Sequence, residues 1–307
     1  MPRDDDRVQA DRVPELSGRL VVLAGPGVVD AGAIAALRAF AEAGDLGVAN
    51  TWGAKGVFAW DSPHHLGTCG LQSRDFELLG FDDAEAIVAV GLDEDESPRS
   101  RVARAPIVDL APTALRAATG RVVRTGAPLP NELYPTLAAI AQPGYIDERV
   151  PLHPARTVAE LSAALPEGGL LVAQPGLAGL WVARTFSTPA LTPGAPRRVR
   201  VPARRDPAAV LRQAVTAADA GRVTLLVTMA PLDAATRAVL DATADAPRPL
   251  VVVAWSADGP RRSPAEFAAA LRAAVDGGPA LVETAVDVAE TDRLVDAAGA
   301  VVAWGGL

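Results

Sequence analysis

Short apolar runs alternate along this chain with stretches of helical spacing. "LVVLAG" (Leu20–Gly25), "GVANT", "AIVAVG" (Ala86–Gly91) and "APIVDLAP" read as strands, and "RVVRTG" is a candidate fifth. Continuous apolar runs closed by Gly or Pro suit strands buried on both faces. "DAGAIAALRAFAEA" (Asp30 to Ala43) places Ile34, Leu37 and Phe40 on one helical face, with Asp30 as a plausible N-cap. "WGAKGVFAWDSPHHLGTCG" reads as a loop, and "SRDFELLGFDDA" as helical.

A proline-rich stretch, 127–151, reads as a linker with one short helix. The alternation then resumes. "TVAELSAALP" is helical, "GLLVAQPG" a strand and "GLWVARTF" a helix start. "DPAAVLRQAVTAADAG", "LDAATRAVLDATAD" and "SPAEFAAALRAAVDG" read as helices, interleaved with the strands "VTLLVTMAP", "PLVVVAWS" and "PALVETAVD". Ser263 followed by Glu266 three residues on predicts a capping box. The fold class is α/β, with two doubly wound, mostly parallel sheets in a Rossmann-like arrangement. The expected organisation is a disordered lead-in over 1–17, a first domain over 18–126, the linker over 127–151 and a second domain over 152–307. The terminal "VVAWGGL" reads as a last strand or as a segment buried by a partner.

Bulk properties sharpen this picture. A length of 307 residues fits about two domains, and half the residues are apolar, enough for a core in each. No apolar run reaches the roughly 18 residues of a membrane span. The charged start lacks the apolar centre of a signal peptide, which predicts a cytoplasmic protein. The formal charge of −8 argues against unspecific nucleic-acid binding. One basic run, "PRRVRVPARR" (Pro196 to Arg205), reads as a solvated loop or as a contact for an anionic ligand or acidic partner. Cys69 is the single cysteine, and His64, His65 and His153 are the only histidines. No Cys/His metal spacing follows from them. Asp61 close to His64 and His65 suggests general-base work, yet no Ser or Cys beside them has a nucleophile's context, so loop structure is the simpler reading. Cys69 reads as a small buried group. The acidic loop Gly91–Ser97 reads as solvated, with Mg²⁺ capture as the alternative. No catalytic residue and no metal ligand set is assigned.

Four phrases carry a resemblance: the turn Ala24–Gly27, Thr51–Gly56 as Thr-x-x-x-Lys-Gly, Pro63–Gly70 as Pro-x-x-x-Gly-x-x-Gly, and a strand ending in Val90-Gly91. Together they resemble the central domain of thiamine pyrophosphate (TPP) dependent enzymes of the acetolactate synthase and 2-oxo acid decarboxylase kind, over roughly residues 19–112. The second half is similar, more faintly, to the TPP-binding domain of that family. The resemblance implies cofactor chemistry and also shows where this chain departs from it. Family members hold Mg²⁺ through a Gly-Asp-Gly turn after the strand matching "VTLLVTMAP" and through Asn residues after the next strand. Here those positions read Thr228-Met229-Ala230 and Ser256-Ala257-Asp258. A thioether and a methyl cannot replace a carboxylate on a hard cation. Met229 and Ala230 are expected to pack into the space relatives leave polar, and Asp258 to shape a turn with Gly259.

Family enzymes also carry a pyrimidine-binding domain whose glutamate activates the cofactor, and this chain opens at the central domain. The resemblance therefore implies an oligomer: assembly with a pyrimidine-domain protein, a full-length relative or further copies. The leading expectation is a catalytically inactive structural or regulatory subunit. The alternatives are one subunit of a heteromeric TPP-dependent decarboxylase or carboligase, and a nucleotide-binding module. For the last, some family central domains hold FAD or ADP, with Gly25, Gly27, Thr51, Lys55 and Gly91 as the nearest candidates here. A structural tight turn is the simpler reading of those glycines, since the motif is not G-x-G-x-x-G.

Overall fold

The structure is a computed structural model that describes residues 15–102, 105–193, 197–245, 248–277 and 280–307. It resolves into two compact units: Met1–Pro135 with Thr188–Ala195, and Thr136–Ser187 with Pro196–Leu307.

In the first unit, β1 (Leu16–Gly18) pairs in parallel with β7 (Val122–Arg124), forming a two-stranded sheet of their own. Part of the expected lead-in is thus a strand; residues 1–14 lie outside the described residues. The main sheet is built from β2 (Leu20–Ala24), β3 (Gly47–Thr51), β4 (His65–Cys69), β5 (Ala86–Val90) and β6 (Ile107–Leu110). It is parallel throughout and ordered β4-β3-β2-β5-β6. Every residue of β2 and β5 is buried, which explains their unbroken apolar character. The strand order reverses between β2 and β5, so the ligand crevice of such a sheet lies outside their carboxyl ends.

Three local readings need correction here. "HLGTC" is a strand within the expected loop; its glycine and histidine masked any alternation. Asp30 ends a one-turn helix, α1 (Gly27–Asp30), rather than capping the next one. Gly32, at φ +64°, breaks the chain before α2 (Ile34–Gly44), which buries Ile34, Leu37, Phe40 and Ala41 as their spacing predicts. Short helices α3 (Asp75–Leu78), α4 (Arg99–Val102) and α5 (Leu115–Ala118) complete this unit. Helix α6 (Leu133–Tyr145) runs for 13 residues, longer than the short linker helix expected.

The second unit has a parallel sheet ordered β12-β11-β10-β8-β9. Its strands are β8 (Leu170–Ala173), β9 (Val199–Arg200), β10 (Thr224–Met229), β11 (Leu250–Ser256) and β12 (Leu281–Ala285). The helices are α7 (Pro154–Ala164), α8 (Leu177–Thr185), α9 (Pro207–Asp219), α10 (Ala234–Asp245), α11 (Pro264–Val275) and α12 (Glu290–Ala298). Asp206 caps α9 by accepting from the Ala209 N–H, and the capping box of Ser263 and Glu266 opens α11. Leu170, Val172, Val210, Ala214, Leu226 and Val252 form a core between sheet and helix. The basic run supplies the edge strand β9, with Val199 buried, rather than remaining a loop. The carboxyl end forms a 3₁₀ turn, Ala303–Gly305, in place of a last strand. Among the described residues no helix is long and apolar enough to cross a membrane.

Candidate functional site

Strand register brings the two altered segments together. Met229 of β10 pairs with Trp255 of β11, and the Ala230 N–H donates to the Trp255 carbonyl at 2.7 Å. The tips Met229–Ala230 and Ser256–Asp258 therefore lie side by side at the carboxyl edge of the sheet. A cavity of about 1320 Å³ opens on them, lined by Met229, Ala230, Ser256, Ala257 and Asp258. It continues between α10, through Leu240, and the strands β11 and β12, through Leu250 and Leu281. Met229 and Ala230 are half-buried on its wall. The expectation that they fill this space is corrected: they line it and leave it open.

The donors at these tips are few. The Thr228 hydroxyl donates to Oε1 of Gln174, in the turn after β8, so it is already engaged. Ser256 Oγ lies close over Gly259, where an added Cβ would come within 2.6 Å of it. Asp258 is exposed. Mg²⁺ asks for near-octahedral oxygen and is normally held by one or two carboxylates together with substrate phosphates. Among the described residues no group of three or more His, Cys, Asp or Glu side chains is placed to hold a metal. The central positions offer a thioether, a methyl and a hydroxyl, and Asp258 is the one carboxylate at these tips.

The nucleotide candidates of the first unit meet at its switch point. The Gly25 N–H donates to the Val90 carbonyl at 2.8 Å, and the Gly27 N–H to the Gly91 carbonyl at 2.9 Å. A Cβ on Gly25 would stand 2.3 Å from the Gly91 oxygen. These glycines permit backbone to approach backbone, and their amides are spent on it. The Thr51 hydroxyl donates to Glu96 Oε2 at 2.5 Å, and the Gly53 N–H to the same oxygen at 3.0 Å. Lys55 is half-buried at the end of this loop. Two donors of the kind a phosphate would use, the Thr51 hydroxyl and the Gly53 amide, thus meet the Glu96 carboxylate. Nothing in the sequence distinguished Glu96 from its neighbours in the acidic loop.

The remaining candidates separate. His64 Nδ1 lies 3.0 Å from the Leu46 carbonyl. His65 is neutral at physiological pH: burial chiefly, and the charge of Lys55, push its pKa down to about 4. Asp61 is exposed in the same loop. Cys69 is fully buried. In the acidic loop, the Asp93 side chain accepts from the Asp95 N–H, and Glu94 pairs with Arg99. His153 belongs to a buried network that the sequence did not reveal. Its Nδ1 accepts from the Ala155 N–H, so in the neutral ring Nε2 carries the proton, 3.4 Å from Glu290. Glu290 also accepts from Arg149 at 2.7 Å and Arg293 at 3.2 Å. The network joins the loop before α7 to α12, and its shape is that of a structural clasp.

Residues 16–139 match the family described as the central domain of thiamine pyrophosphate enzymes. A solved structure from Mycobacterium smegmatis, of a proposed thiamin diphosphate-dependent enzyme, is similar in fold, with a TM-score of 0.62 at 18% identity. The similarity covers 92% of this chain and 64% of that one, so this chain spans under two thirds of the protein it matches. No curated protein matches the sequence significantly.

Proposed function

We propose that this chain belongs to the thiamine pyrophosphate enzyme superfamily and is a structural or regulatory subunit that binds neither Mg²⁺ nor the diphosphate at its second sheet. The observation that carries this reading is the paired strand tips, where Met229 and Ala230 end β10 with a thioether and a methyl instead of a hard oxygen ligand, and Asp258 is the one carboxylate the two tips bring to the cavity. The partner belongs to the same proposal. Enzymes that this chain resembles assemble their sites across subunits, and a chain with an intact fold and altered ligands suits the non-catalytic place in such an assembly.

The test is calorimetric titration of the purified chain with TPP in the presence of Mg²⁺. No binding heat is expected, and micromolar affinity would overturn the reading. Coexpression with a TPP enzyme bearing a pyrimidine domain, followed by size-exclusion chromatography, addresses the partner, and a stable complex is expected. Turnover of a 2-oxo acid by that complex, lost when Asp258 is replaced, would instead make the chain a working half of the active site.

A further inference from the structure

We propose that the first unit is closed to nucleotides by its own atoms, with the Glu96 carboxylate seated where a phosphate oxygen would have to bind. The inference concerns the first sheet and stands independently of the cofactor reading for the second.

Phosphates of bound nucleotides lie outside the carboxyl ends of the strands in a sheet of this kind, against backbone amides and hydroxyls. At the carboxyl end of β3 those donors are the Thr51 hydroxyl and the Gly53 amide, and both point at one carboxylate oxygen. Two donors on a single oxygen describe an anion acceptor that is already filled. Glu96 is 4% exposed and Thr51 is fully buried, so water does not compete for the contact. The fit is close: a Cβ on Gly53 would stand 2.2 Å from Glu96 Oε1.

The backbone that carries this side chain is also held from behind. The Glu96 and Ser97 N–H groups donate to the Asp93 carbonyl at 3.1 and 2.9 Å, and Arg101 donates to the Glu96 carbonyl at 3.3 Å. This is a knit turn that presents the side chain inward. The switch point beside it is shut by the contact of Gly25 and Gly27 with Val90 and Gly91. Farther along the same loop, Leu191 packs on Gly56, and its N–H donates to the Gly56 carbonyl at 2.9 Å. A nucleotide would have to evict a buried carboxylate and break backbone pairing, leaving charged and polar groups unpaired. The unit is therefore a mounting body whose ligand crevice is occupied from within.

The experiment is a thermal-shift series on the full chain with ADP, FAD and inorganic phosphate, for the wild type and for Glu96→Ala. The wild type is expected to show no shift beyond that of a chloride control at equal ionic strength. Glu96→Ala is expected to melt lower, and formate or phosphate at millimolar concentration to restore part of the loss by filling the emptied position. A shift of the wild type by ADP or FAD overturns the proposal. So does an anion response of equal size in both proteins. Should Glu96→Ala fail to fold, the wild-type series still decides. Glu96→Gln, which keeps the volume and an acceptor oxygen, is then expected to stay as indifferent to formate as the wild type; a response from it overturns the proposal.

Discussion

At the scale of single residues, the clearest energetic statement concerns Glu290. Burial by itself would raise its pKa, yet the hydrogen bond and charge of Arg149, with His153 and Arg293, hold it below the ordinary carboxylate value. A carboxylate lowered in this way contributes stability above its unfolded pKa of about 4.3, lost as pH falls through the lower folded value. His153 adds to the acid sensitivity at a higher pH. Burial, outweighing the charge of Glu290, lowers its pKa. The unfolded chain therefore takes up that proton first, below about pH 6.5, and stability declines from there. Urea titrations should show stability falling on acidification from about pH 6.5, and again in the carboxylate range. Arg149→Met should cost about 1–2 kcal/mol at neutral pH, less than a fully buried pair because the guanidinium is partly exposed and Glu290 keeps other partners. The same variant should flatten the carboxylate limb, and an unchanged acid limb would show that the clasp does not set it. None of this was legible from the chain: His153 and Glu290 are 137 positions apart, and only the fold joins them.

Among the elements, legibility follows the mechanism of each signal. Helix α11 was readable because its start is encoded locally: Ser263 accepts from the Glu266 N–H, while the Glu266 carboxylate accepts from Ser263 N–H at 2.7 Å. Such a box needs no tertiary partner to be recognised. Replacing Ser263 with alanine should therefore cost about 1 kcal/mol, read as a lower denaturant midpoint at unchanged slope. An unaltered midpoint would mean that packing of Phe267 and Leu271 alone holds the helix start. Strands β2, β5, β10 and β11 were readable for a different reason, since both their faces are buried and the apolar run is continuous. β4 and β9 were not, being edge strands with mixed composition whose pairing is decided by neighbours distant in sequence. At the strand tips of the second sheet, the identity of the residues was legible. Their adjacency and the open cavity needed the register of β10 against β11.

For the molecule as a whole, the order of the chain and the order of its packing differ. Thr188–Ala195 follows α8 of the second unit in sequence, yet clusters with the first unit. Leu191 is 5% exposed there, joined to the core that holds Val57 and Phe58. Arg38 of α2 binds both sides of this seat, donating to the Leu191 carbonyl at 2.8 Å and to the Val57 carbonyl at 2.7 Å. No periodicity or composition marks a proline-rich segment as part of a core that begins more than a hundred positions earlier. The consequence is a stability term for the first unit that resides outside its main stretch of sequence. Leu191→Ala removes a buried aliphatic side chain and should cost about 2–4 kcal/mol. That loss belongs to the first unit alone if the units open separately. Native-state hydrogen exchange resolves it: amides of β2 and β3 should lose protection in the variant, while those of β10 and β11 keep theirs. Equal loss in both sheets would show that the two units unfold as one, and no loss in either would show that the segment merely rests on the first unit.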